Sequence, residues 1–118
     1  MKEFLLIFRN NNNPGEAPSP EQMQGMMQQW QDWMGSIAAQ NKLANSGNRL
    51  SMENSRVVKP NKVITNGPYV EISEAINGYI IVNAISVDEA AELANGCPIL
   101  LVGGNVEVRT VVPMDNNN

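Results

Sequence analysis

Glu107 and Arg109 stand two residues apart in Val106-Glu107-Val108-Arg109-Thr110. Residues two apart on an extended strand share a face, so one face carries the charged pair while Val106, Val108, Thr110 and Val112 share the other. A guanidinium offers a rigid fork of donors suited to small polar or anionic molecules. Tyr79 and Asn83 share a parity in Tyr79-Ile80-Ile81-Val82-Asn83-Ala84-Ile85 and add a hydroxyl and an amide. If these parities face one cavity, the expected ligand-binding set is Arg109, Glu107, Tyr79, Asn83, Glu71 from the segment after the Asn66-Gly67-Pro68 turn, and Asn66 at the cavity mouth. The plainer alternatives are an exposed Glu–Arg pair of little energetic weight and a turn that is only structural.

Other chemistry is excluded by what the chain lacks. It has no histidine and a single cysteine, Cys97. That removes His-based general acid–base catalysis, Ser-His-Asp and Cys-His nucleophiles, and zinc sites built from Cys and His. No metal and no cofactor are expected. Cys97 precedes Pro98 at a helix end, where a small buried residue is the favoured reading over an activated thiol. A lone cysteine also fits a reducing compartment.

The net charge is −4 and the pI about 4.7. A molecule of that balance repels phosphate backbones and anionic membrane surfaces, and its eight Lys and Arg are scattered rather than clustered. Neither nucleic acid nor membrane is an expected partner. Met1 to Phe8 lacks the small-residue cleavage site of a signal peptide, and no apolar run is long enough to span a bilayer. A cytoplasmic location follows as the expectation.

The elements that must position these residues are legible in part. Phe4-Leu5-Leu6-Ile7-Phe8 is apolar at both parities, as in a strand buried on both faces. An asparagine-rich loop, Asn10 to Pro18, separates it from Ser19-Pro20-Glu21-Gln22, a capping-box start with proline at the first helical position. The spacing of Met23, Met26, Met27, Trp30, Met34, Ile37 and Ala38 predicts an amphipathic helix over 20–41. Its methionine stripe reads as core filler rather than as a soft-metal or peptide surface, with Trp33 off the centre of the stripe. Close packing against sheet or partner would explain Gly25 and Gly35; the alternative is that they are merely tolerated.

From Leu43 to Pro60 the pattern weakens: Ser46-Gly47 reads as a turn, with short strands near 49–52 and 56–58. Lys62 to Thr65 is a better strand and runs into the Asn66-Gly67 turn, so a hairpin-like excursion is expected. Asn77-Gly78 introduces a second strand apolar on both faces. Ser86 and Glu89 form a capping box for a helix over 87–95, which Asn95-Gly96 and Pro98 terminate. The alternating strand 106–112 and a polar tail, 115–118, complete a single domain over 1–118.

The order is βαββαβ. This is a ferredoxin-like α+β fold with an antiparallel sheet and an extra hairpin before the third strand. In it the inner strands are the first and third, the two found apolar on both faces. Right-handed crossovers carry both helices to one side. The other face of the inner strands then needs a cover, and a second copy packed sheet to sheet is the simplest.

Thr65-Asn66-Gly67-Pro68-Tyr69-Val70-Glu71, Asn77-Gly78-Tyr79-Ile80-Ile81, Asp88-Glu89-Ala90, Cys97-Pro98 and Gly104-Asn105-Val106-Glu107-Val108-Arg109 resemble the YCII-related, DGPF-domain proteins. Met1 to Phe8 is similar to their first strand, so the resemblance covers nearly the whole chain. It implies a dimeric α/β barrel, in a family whose members are mostly of unknown function. Some relatives are thought to be enzymes using an Asp and a His, and some related domains are fused to sigma-factor-like segments. This chain has Asn66 and Tyr69 where the signature carries Asp and Phe, no histidine, and no helix-turn-helix, so neither activity carries over.

Two functions are therefore expected in competition. One is a homodimer binding a small polar or anionic molecule in its interface cleft, with a weak lyase or isomerase activity as its catalytic form. The other is a non-catalytic interaction or regulatory module.

Overall fold

The structure, a computed structural model, describes residues 1–10, 19–51, 53–67 and 75–114. Glu71, the asparagine-rich segment from residue 11 onward and the 115–118 tail lie outside the described residues. Strand β1 (Lys2–Arg9) leads to helix α1 (Pro20–Ala39), β2 (Leu43–Arg49), β3 (Arg56–Lys59), β4 (Val63–Asn66), β5 (Ile76–Ala84), helix α2 (Val87–Ala94) and β6 (Asn105–Thr110). The main sheet has the order β2-β5-β1-β6 with every pair antiparallel, while β3 and β4 pair only with each other. This is the expected ferredoxin-like βαββαβ, with a hairpin inserted before its third core strand. The two strands apolar at both parities are the inner pair, because only an inner strand is flanked by sheet on both edges and can present two well-covered faces.

Both helices pack on one face. Phe4, Leu6 and Phe8 of β1 and Ile80, Val82 and Ala84 of β5 meet Trp33 and Ile37 of α1, Ala90 and Ala94 of α2, and Cys97 and Ile99. Val106 and Val108 of β6 are partly buried against the same cluster, so the alternation in the last strand faces as expected. The strand itself stops at Thr110 and leaves Val112 exposed beyond it.

Helix α1 starts as the sequence predicts. Ser19 Oγ accepts from Gln22 N–H at 3.1 Å, Gln22 Oε1 accepts from Ser19 N–H at 2.9 Å, and Pro20 holds the first position. It ends at Ala39, two residues short of the expected 41. Its buried face keeps Met26, Trp30, Met34 and Ile37 of the expected stripe, but takes in Trp33 and leaves Ala38 out. Trp33 and Ile37 are buried with Trp30 and Met34 beside them, whereas Met23 and Met27 are 49% and 60% exposed. The indoles decide the shift. Phe8, Trp30 and Trp33 stack edge to face with centroids 4.9 to 5.9 Å apart, and Trp33 Nε1 donates to Leu93 O at 2.9 Å. Burying two large rings with a satisfied N–H outweighs burying unbranched thioethers. A Cβ at Gly25 or Gly35 meets nothing, so close packing does not explain these glycines, and nothing else in the structure does.

Of the three asparagine- or serine-glycine steps read as turns, Ser46-Gly47 and Asn77-Gly78 lie inside strands, while Asn66-Gly67 ends β4 with Gly67 at φ +78°. Ser46-Gly47 is a bulge within β2: the register slips between Asn45 and Asn48, and Gly47 has φ +63°. Asn45 Oδ1 accepts from Gly47 N–H at 2.7 Å, and a Cβ at Gly47 would fall 1.6 Å from Tyr79 O. Asn77-Gly78 lies within β5, where missing side-chain bulk admits the β2 backbone, since a Cβ at Gly78 would sit 2.9 Å from Asn48 O. Asn66 closes β4; the β3–β4 turn is Pro60–Lys62, with Asn61 and Lys62 at positive φ. The 99–102 apolar patch belongs to a 3-10 helix, Pro98–Val102, whose first two residues are buried and the rest exposed. Among the described residues no helix is long and apolar enough to cross a membrane.

The shift of the α1 face toward Trp33 is testable by contrast. Trp33→Ala should lower stability by about 3–5 kcal/mol, while Met27→Ala should change it by less than about 0.5 kcal/mol, both read from urea unfolding. Equal losses would restore the methionine face as core.

Candidate functional site

The face of the main sheet opposite the helices carries the candidate residues, and the strand register lays them out in rows. Tyr79 on β5, Ile7 on β1 and Glu107 on β6 lie side by side, followed one row along by Ile81, Leu5 and Arg109, and then by Asn83 and Glu3. Rows on one face are about 7 Å apart and strands about 4.8 Å apart. Tyr79, Asn83, Glu107 and Arg109 therefore flank an apolar floor of Leu5 and Ile81, both half-buried, and Ile7, which is buried.

The polar side chains are joined. Glu107 lies between two arginines: Arg9 NH1 contacts Oε1, and Arg109 NH1 lies 3.2 Å from Oε2. Arg9 reaches Glu107 diagonally, because Arg9 pairs with Asn105 and Ile7 with Glu107. Arg109 reaches it along its own strand. The side chains of Arg9, Glu107 and Arg109 are 24%, 37% and 67% exposed, so Arg109 is the guanidinium presented to solvent. The Arg9 hydrogen bond first, and the Arg109 hydrogen bond second, hold the Glu107 carboxyl below its ordinary 4.5. At the far edge, Asn48 Nδ2 donates to Tyr79 OH at 3.2 Å.

Four of the six expected residues thus share one face: Arg109, Glu107, Tyr79 and Asn83. Asn66 does not share that sheet; it pairs with Arg56 in the β3–β4 ribbon. Glu71 lies outside the described residues. Arg9 and Asn48 were not foreseen. Arg9 has the parity of Leu5 and Ile7, which carried a signal, but its partner is 98 residues away. Asn48 had none, since the bulge at Gly47 resets parity in β2.

A shallow hollow of about 430 Å³ lies elsewhere, between Gln22, Gly25, Met26 and Gln29 of α1 and Val102. Its walls carry no charge, and it belongs to the exposed side of α1.

Two further groups define the chemistry. Cys97 is buried, and burial pushes its thiol up to about 11 against a smaller lowering by the Ile99 backbone N–H. It is a core thiol, not a nucleophile. Glu89 was expected to close a capping box. Ser86 Oγ accepts from Glu89 N–H at 3.1 Å, but the Glu89 carboxylate takes Ile85 N–H at 3.4 Å and Lys42 Nζ at 3.3 Å, locking α2 to the start of β2.

The family model of the YCII-related domain matches residues 4–115. No curated protein matches the chain.

The clamp sets a sign. A carboxyl with a depressed folded pKa stabilises the fold above its ordinary value, and that contribution is lost as pH falls through the depressed value. Glu107→Gln should therefore flatten the acid limb of the stability–pH curve, measured as thermal midpoints from neutral pH down through the carboxylate range. An unchanged limb would show that the arginines do not hold Glu107 in solution. Cys97 should react with a thiol reagent only after unfolding, and fast labelling of the native protein would contradict its burial.

Proposed function

The chain belongs to the YCII-related domain family, and from that premise we propose that it binds a small anionic molecule between two copies packed open face to open face. The carrying observation is the Arg9–Glu107–Arg109 clamp beside an apolar floor. Two guanidiniums around one carboxylate leave the cluster a net positive charge within an acidic chain. Of the five donors of Arg109, only one is matched to Glu107, and the side chain is exposed. A ligand carboxylate or phosphate can take the remaining fork while its body covers Leu5 and Ile81. Tyr79 and Asn83 bound the floor on the other side.

Binding is favoured over a lyase or isomerase step by the same clamp. A general base must hold a proton with an affinity near the working pH. Two arginines lower the proton affinity of Glu107, so it serves as an orienter of Arg109. A second copy packed on this face would exclude water and strengthen these charges.

The proposal predicts binding of inorganic phosphate or a short dicarboxylate such as malonate, detectable by titration calorimetry. Arg109→Gln should weaken it by about 10- to 100-fold, the worth of a charge-assisted hydrogen bond of about 1.5–3 kcal/mol. Ile81→Glu should abolish both binding and dimerisation. Wild-type protein that ignores these anions, or an Arg109→Gln variant that binds them equally, would overturn the assignment in favour of a ligand-free interaction module.

A further inference from the structure

Strands β3 and β4 stand apart from the main sheet. They pair Arg56 with Asn66, Val57 with Thr65, Val58 with Ile64 and Lys59 with Val63. Their substantial contacts are with each other. An isolated two-stranded hairpin is marginal in water, and this one is apolar where water would reach it. Val58 and Ile64, directly opposed, are 73% and 63% exposed, and Val63 is exposed on the other face.

The ribbon is also of opposite charge to the body. Arg56, Lys59 and Lys62 fall in a stretch, residues 54–67, that holds no Asp or Glu. Setting those three cations aside from a chain of net charge −4 leaves −7 on the remainder. Among the described residues the ion pairs are Arg9–Glu107, Lys42–Glu89 and Arg109–Glu107, so none uses a ribbon cation. On the body, Glu3, Glu21, Asp32, Asp88 and Glu92 are exposed.

We infer that the β3–β4 ribbon is a dimerisation arm that docks on the acidic body of a second copy of this chain. Val58 and Ile64 anchor it, while Arg56, Lys59 and Lys62 supply attraction and register. Arg56, Val58, Ile64 and Asn66 share one face of the ribbon by parity and pairing. Asn66, absent from the open sheet face of its own protomer, is thereby carried against the partner. The inference rests on the dimer proposed above and adds a second, electrostatic contact to it.

Sedimentation equilibrium of the full chain at low and high salt tests it, together with amide exchange at concentrations on either side of the dimer dissociation constant. The triple variant Arg56→Glu, Lys59→Glu, Lys62→Glu should raise that constant at least about tenfold and remove its salt dependence. Val58→Ser with Ile64→Ser should also weaken the dimer, with circular dichroism unchanged. Exchange at residues 57–59 and 63–65 of the unmodified chain should slow on dimerisation, a readout that needs no variant to fold. If ribbon variants dimerise like wild type and exchange is unaltered, while Ile81→Glu is monomeric, the arm is wrong and the sheet-to-sheet dimer stands. A wild type monomeric throughout overturns both.

Discussion

The antiparallel pairing of β1 with β5 is the constraint on which the rest of this structure depends. Its register sets Phe4 against Val82 and Leu6 against Ile80 on the helix side, and Leu5 against Ile81 and Ile7 against Tyr79 on the other. A slip of one residue would exchange the two faces and bury Arg9 and Asn83 beneath the helices. The cost of burying an unpaired charge makes that alternative inaccessible. Once the register is fixed, right-handed crossovers place both helices on one side, and the apolar positions of the other side become the floor of the open face. Glu107 lies beside Arg9 for the same reason: β6 pairs with β1 so that Ile7 faces Glu107.

The backbone exceptions serve this pairing. Gly47 and Gly78 lie where β2 and β5 approach too closely for a Cβ, and the bulge between Asn45 and Asn48 turns Asn48 toward Tyr79. At the other end, Lys42 hydrogen-bonds through its carbonyl to Asn83 N–H at 2.6 Å and through its ammonium to Glu89. One residue thus ties the edge strand, the inner strand and the second helix together. Charge is used here for positioning, as it is at Glu107, where two arginines keep a carboxylate ionised and fixed.

What was legible in the sequence follows from which signals are local. Double-parity apolar runs identified β1 and β5 as inner strands, alternation gave both faces of β6, and capping residues set the starts of both helices. These are properties of consecutive residues. The burial of Trp33 on α1 was not legible, because it depends on Phe8 and Leu93 O receiving its indole. The glycine steps misled for a related reason. An Asn-Gly or Ser-Gly pair reports that the backbone needs freedom, but a turn, a bulge and a close strand approach all need it. Of the site, parity gave Tyr79, Asn83, Glu107 and Arg109, whereas Arg9 required the β1–β6 register and Asn48 required the bulge.

A single helix layer on a single sheet also explains why this chain carries two kinds of unfinished surface. The molecule is 18 Å across its thinnest axis, enough for those two layers and no third. A chain of 118 residues that spends its large apolar side chains on one interlayer core leaves Leu5 and Ile81 half-buried on the opposite face, where Ile7 is already buried, and Val58 and Ile64 exposed on the ribbon. Neither set suffices for an independent core, and both lie beside arginine or lysine rather than among apolar neighbours. A flat apolar centre with a charged border is the composition of an interface, where the centre supplies the free energy and the border supplies orientation. The two surfaces differ in how they treat charge. On the sheet, Glu107 neutralises half of the positive charge of Arg9 and Arg109 and leaves Arg109 exposed; on the ribbon no acid within residues 54–67 accompanies the three cations.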